Sequence, residues 1–203
     1  MLIEEVDLNI KNAFVTTIIE PITYPVTIQE IKDFGSIDGN DLDSFLEGIL
    51  IGVVESIEQY LGRSLISRTL KLTFDNWPTK EIEFPKSPLL SIVSVNTVDE
   101  EGIETVYDSD NYYVVSENIP GKLVIKKNAS LPVNNDRESA GFNIVYVAGY
   151  GDTSKVPKTI KIAIMQWVVM IYENKSMSDD EVIKNEPPPS VKEILYPYRI
   201  RRI

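Results

Sequence analysis

Residues 40–62 read NDLDSFLEGILIGVVESIEQYLG. Leu42, Phe45, Leu46, Ile49, Leu50, Val53, Val54, Ile57, Tyr60 and Leu61 recur at intervals of three and four. That is the period of an amphipathic helix. Asn40 is the expected N-cap and Gly62 the expected stop, giving a helix over 41–61. Asp43, Glu47, Glu55 and Glu58 occupy its other faces. Ser44, Gly48, Gly52 and Ser56 place a small residue at every fourth position. Each glycine costs a helix about 1 kcal/mol against alanine, so the stripe predicts close approach by another backbone. A packed helix of the same subunit and a neighbouring subunit explain it equally well.

The pattern changes on either side of this helix. Thr27 and Glu30 have capping-box spacing, with Val26 and Ile31 placed as a hydrophobic staple, so a short helix is expected over 27–34. Residues 1–25 end in Pro21-Ile22-Thr23-Tyr24-Pro25 and read as an extended arm, with a short strand around Phe14 to Ile19. From 66 to 148 the chain is β-rich. Leu70, Leu72 and Phe74 alternate with Thr69, Lys71 and Thr73, and further strands are expected at Leu90–Val98, Tyr112–Val115, Lys122–Ile125 and Asn143–Ala148. Pro157 opens a second long helix over 157–174, whose apolar residues spread onto more than one face. Residues 176–203 read as a separate C-terminal arm: a polar stretch, three prolines, and a short helix begun by Ser190 and Glu193 and ended at Pro197. Together these pieces predict an α+β chain. Two long helices with short N- and C-terminal helices make the core, and an antiparallel meander is inserted between the long helices. The expected division is an arm over 1–25, a main domain over 26–175 and an arm over 176–203.

Composition excludes several chemistries. The 203 residues contain no cysteine and no histidine. Disulfides, thiol chemistry and histidine-based triads are therefore absent, and a structural zinc site is not expected. Gly149-x-Gly151 lacks the third glycine and the Gly-Lys-Ser/Thr of a phosphate loop and reads as a tight turn. Asp38-x-Asn40-x-x-Asp43 fails the calcium-loop pattern, because Leu42 falls at the fifth position. No catalytic residue, cofactor or metal is expected. The N-terminus lacks the basic start and apolar core of a signal peptide, and Ile160–Tyr172 is too short to span a bilayer. A soluble, intracellular protein is expected.

The net charge is −11, yet the chain closes Tyr196-Pro197-Tyr198-Arg199-Ile200-Arg201-Arg202-Ile203. A basic segment on an acidic body predicts docking on an acidic or carbonyl-rich surface. Arginine suits that contact because its planar fork makes paired hydrogen bonds. The acidic body does not suit a grip on nucleic-acid backbone, which needs clustered lysine and arginine. It does not argue against lining a passage through which DNA slides, where negative walls would keep DNA from sticking.

The order of pieces carries a resemblance. A Pro25-Val26-Thr27 start leads to the short helix, and the long helix ends in Tyr60-Leu61-Gly62-Arg63. After the strands come Tyr146-Val147-Ala148-Gly149-Tyr150-Gly151, a Val156-Pro157 helix opening, Tyr172-Glu173-Asn174, and a Pro-Tyr-Arg-x-Arg tail. Over residues 25–203 this resembles the head–tail connector proteins of tailed bacteriophages, also called head-completion or adaptor proteins. The resemblance implies a ring, commonly a dodecamer, docked under the portal protein. The ring would extend the DNA channel and receive a neck, stopper or tail-completion protein. It places the chain in the virion, and in the host cytoplasm during assembly. By analogy Tyr196, Tyr198, Arg199, Arg201 and Arg202 are the portal-docking residues. Two features depart from the family: the β portion is long, and residues 1–25 have no evident counterpart. The alternative is a monomeric β-rich binding module or accessory tail protein, whose aromatic candidates are Tyr107, Tyr112 and Tyr113; these are otherwise assigned to cross-strand packing.

Overall fold

The structure, a computed structural model, describes residues 3–5, 13–78, 80–133, 137–174 and 186–200. Strands β1 (Ile3–Glu5) and β2 (Phe14–Ile19) precede helices α1 (Ile28–Gly35) and α2 (Asp43–Leu61). Seven strands follow: β3 (Arg68–Phe74), β4 (Glu81–Glu83), β5 (Leu89–Val98), β6 (Glu104–Val106), β7 (Tyr112–Val115), β8 (Lys122–Ile125) and β9 (Phe142–Ala148). Helices α3 (Lys158–Glu173) and α4 (Pro189–Leu195) complete the order, and a single 3-10 turn, Tyr196–Tyr198, follows α4.

The expected helical core with a β insertion is not the architecture found. The chain divides into two compact units, Met1–Pro21 with Ser67–Tyr150, and Ile22–Ile66 with Gly151–Ile203. Among the described residues, all nine strands fall in the first and all four α-helices in the second. The strands form two antiparallel sheets, ordered β1-β2-β3-β9-β5-β6 and β4-β8-β7. Strand β2 lies before the first helix in sequence yet pairs with β3 from Phe14↔Thr73 to Ile19↔Thr69. The β unit is therefore not one insertion between two helices. Nor is it a meander, because β9 lies in the middle of the larger sheet, between β3 and β5.

Burial explains the central place of β9. Phe142, Ile144, Tyr146 and Ala148 are all buried, and Asn143 between them is buried too. A strand buried to that degree needs neighbours on both edges. Its apolar face joins Leu70, Leu72, Phe74, Val95, Leu89 and Val15, and the smaller sheet adds Ile82, Leu123 and Ile125 to the same core. Phe74 stacks on Phe142 with centroids 5.6 Å apart, and Trp77 packs beside both. Tyr107 and Tyr112 stack at 6.2 Å on the margin of this cluster, whereas Tyr113 is largely exposed beneath Lys126. The opposite side of the strands carries a polar row. Asn96 donates to Asn143 at 2.9 Å, Asn143 donates to Glu104 at 2.9 Å, and Lys71 donates to Glu104 at 3.1 Å.

In the helical unit α3 packs on α1, α2 and α4. Its buried residues are Ile160, Ala163, Ile164, Trp167 and Val168. Ile162 is exposed, whereas Val169, Met170, Ile171 and Tyr172 are half-buried. The capping box of α1 is formed: the Glu30 amide donates to the Thr27 hydroxyl, and the Thr27 amide donates to the Glu30 carboxylate. A Cβ on Gly35 would stand 2.8 Å from Val169 Cγ2, so α1 and α3 approach closely there. Helix α2 ends at Gly62, in the left-handed region at φ 67° that glycine adopts without a Cβ clash.

Asn40 does not cap α2. The N-cap is Leu42, with no side-chain hydrogen bond. The Asn40 amide oxygen accepts instead from the Lys32 ammonium at 2.6 Å, and Asp43 takes the same ammonium at 2.9 Å. Lys32 is almost buried, and a buried ammonium must be paired. That requirement outweighs a cap, which contributes about 1 kcal/mol. Likewise α4 is entered through Pro188, with no side-chain cap, rather than through a Ser190–Glu193 box.

Candidate functional site

Two parts of the helical unit were singled out by sequence: the C-terminal segment and the small-residue stripe of α2. Val191 and Leu195 of α4 are fully buried and anchor the segment. The chain then turns through Tyr196–Tyr198 and runs onto the C-terminal end of α2. The Arg63 Nε–H donates to the Tyr198 carbonyl at 2.5 Å. The Ile200 amide donates to the Leu61 carbonyl at 3.0 Å. The Arg199 guanidinium lies over the Tyr60 ring, 4.8 Å from its centroid, and Lys192 Nζ lies over the same ring at 5.9 Å. Lys192 also pairs with Glu186 at 2.5 Å. That hydrogen bond, then the Lys192 charge and more weakly the Arg199 charge, holds the Glu186 carboxyl below its ordinary range.

Of the five docking candidates, Tyr196, Tyr198 and Arg199 are placed, and Arg201 and Arg202 lie outside the described residues. Tyr196 is 54% exposed. Tyr198 is half-buried, with its carbonyl held by Arg63, and Arg199 is exposed with its cation on Tyr60. Tyr60 and Arg63 were not among the sequence candidates. Their signal was an arginine immediately after the glycine that ends an amphipathic helix.

The stripe on α2 faces open space. Ser44, Gly48 and Gly52 are exposed and Ser56 is half-buried, its hydroxyl donating to the Gly52 carbonyl at 2.8 Å. A Cβ built on Gly48 or Gly52 would meet nothing within 4 Å. Leu42 and Phe45 beside it are exposed as well. No helix of the described residues therefore fills the stripe, whereas at Gly35 a Cβ would stand 2.8 Å from Val169 of α3. Among the described residues no group of three or more acidic, histidine or cysteine side chains is placed to hold a metal ion, and no helix is long and apolar enough to cross a membrane.

Residues 26–201 match the family described as head completion protein. The chain belongs to that family. The match spans α1 through the C-terminal segment and so includes both singled-out regions. The family's role is structural rather than enzymatic. No curated protein matches the chain. Among solved structures, the chain resembles one in the neck of an empty gene transfer agent (GTA) particle computed with C6 symmetry. The TM-score is 0.74 at 18% identity, over 93% of this chain and 96% of that one. A chain in the virion of a native GTA particle gives 0.77 at 20% identity, over 93% and 96%. A third, in the neck of a native GTA particle computed with C12 symmetry, gives 0.70 at 21% identity, over 100% and 97%. At these identities the likeness is one of fold. It extends over the β unit, and in the third case over residues 1–25, for which the sequence suggested no counterpart.

Proposed function

We propose that this chain is a structural adaptor at the head–tail interface of a tailed phage or phage-like particle, without catalysis. Family membership over residues 26–201 carries the reading. Copies assemble into a ring, and the symmetry with which the similar neck structures were computed supports this. The open stripe Ser44, Gly48, Gly52 and Ser56 is the close contact between neighbouring copies, since nothing in the described protomer occupies it. The ring docks on the portal protein through the C-terminal segment, with Tyr196, Tyr198, Arg199, Arg201 and Arg202 as docking residues. Its other side receives a neck, stopper or tail-completion protein. DNA passes through the ring without sequence-specific contacts, along walls that the net charge of −11 keeps from adhering to it. The chain then belongs to the virion, after assembly in the host cytoplasm.

The test is the mass and shape of the purified protein alone and mixed with the portal ring of the same particle, by light scattering and negative-stain electron microscopy. A ring stacked coaxially on the portal is the expected result. A monodisperse monomer in both samples overturns the reading.

A further inference from the structure

Three cations gather at the C-terminal end of α2, and none of them belongs to the helix. The last turn of α2 has no basic residue. Arg63 follows the helix, while Lys192 and Arg199 arrive from the far end of the chain. A helix end presents carbonyls that lack intrahelical partners and carry partial negative charge. Here the Leu61 carbonyl is completed by the Ile200 amide at 3.0 Å. Gly62 turns the backbone away, and a Cβ there would stand 3.7 Å from Ile200 Cβ. Arg63, almost buried, reaches back to hold the Tyr198 carbonyl. The ring of Tyr60 takes the Arg199 guanidinium, a cation–π contact. Residues 198, 199 and 200 are thus each held by a different group of one short stretch, Tyr60 to Arg63.

We propose that Tyr60, the Leu61 carbonyl and Arg63 form an anchor that positions the C-terminal arginines for docking, which moves Arg199 from the docking residues named above into the anchor. The inference rests on the reading that this segment docks on the portal. It divides the basic segment in two. Arg199 lays its charge over the Tyr60 ring, and Arg201 and Arg202, next in sequence, remain for the partner. A segment ordered before it binds loses less conformational freedom on binding, so an intact anchor tightens docking without touching the partner. Tyr60 and Arg63 are positioning residues in this scheme.

The experiment measures binding to the immobilised portal ring of the same particle. It compares the full chain, Tyr60→Leu, Tyr60→Phe, Arg199→Gln, the double variant Tyr60→Leu with Arg199→Gln, and a truncation after Ile200. Tyr60→Leu and Arg199→Gln should each weaken binding about two- to fivefold, the order of an exposed cation–π contact, and the double variant no further. Tyr60→Phe, which keeps the ring, should bind as the full chain does. The truncation should abolish binding. Losses that multiply in the double variant would show that Arg199 touches the portal itself and overturn the anchor. Wild-type binding by Tyr60→Leu beside a dead truncation also overturns it, and leaves the docking reading standing. Wild-type binding by the truncation removes the docking reading and the anchor together. Hydrogen exchange of the Ile200 amide in the unmodified protein needs no variant to fold. Protection there is expected, and an amide exchanging at the rate of a free chain overturns the anchor.

Discussion

The β unit and the helical unit use glycine for different ends. In the β unit a Cβ on Gly121 would collide with Leu89, so the residue is small because its own chain approaches it. On α2, Gly48 and Gly52 lie within a regular helix, and a Cβ on either would meet nothing. One glycine is explained by the fold of the protomer, and the other two are not. The same contrast runs through the apolar residues. Phe74, Phe142 and Trp77 pack against one another inside the β unit, while Leu42 and Phe45 stand exposed along the glycine stripe. On the reading proposed above, that unfilled face is the contact with a neighbouring copy.

Phe74→Ala should produce the largest change. The ring is fully buried and stacked on Phe142, so its removal should lower stability by about 3–5 kcal/mol in urea denaturation. A loss below 1 kcal/mol would mean that the β core is looser than its packing indicates. Gly121→Ala comes next, at about 1–3 kcal/mol destabilising, because its methyl group has no room beside Leu89. Gly48→Ala with Gly52→Ala should move the other way. The protomer should gain about 1–2 kcal/mol, since alanine is the better helix former and nothing obstructs the methyl groups. Ring formation, followed by light scattering with the portal, should weaken. Rings that assemble as before would assign the stripe to something other than the subunit contact.

The smallest expected effect concerns Glu186. Its carboxyl is held below the ordinary range by Lys192, so the folded state favours the charged form. The resulting stability is fully present above the unfolded carboxyl pKa of about 4.3 and is lost as pH falls through the lower folded value. An NMR titration of the Glu186 side chain should give a midpoint below that of a free glutamate. An unshifted midpoint would mean that the Lys192 contact does not persist in solution.

The signals that were legible in sequence are local ones. Thr27 and Glu30 are three residues apart, Gly62 directly follows the apolar period of α2, and Phe14–Ile19 has its strand within a single run of residues. Interactions of that range depend on a few neighbours along the chain, so they can be read from local spacing. The sequence by itself determined the net charge of −11, the absence of histidine and cysteine, and the basic closing segment. Asn40 shows where this stops. Its spacing suited a helix cap, but a buried lysine eight residues away claimed its side chain. The placement of β9 between β3 and β5, the pairing of β2 with β3, and the docking of residues 198–200 on the end of α2 were decided by tertiary structure alone. Each joins residues far apart along the chain, the strand pairings through backbone hydrogen bonds available to almost any side chain and the docked segment through one such bond beside the Arg63 and Tyr60 contacts. Which edge a strand joins, and which carbonyl an amide finds, depends on the total apolar surface that the alternatives bury, and no local pattern of residues encodes that sum.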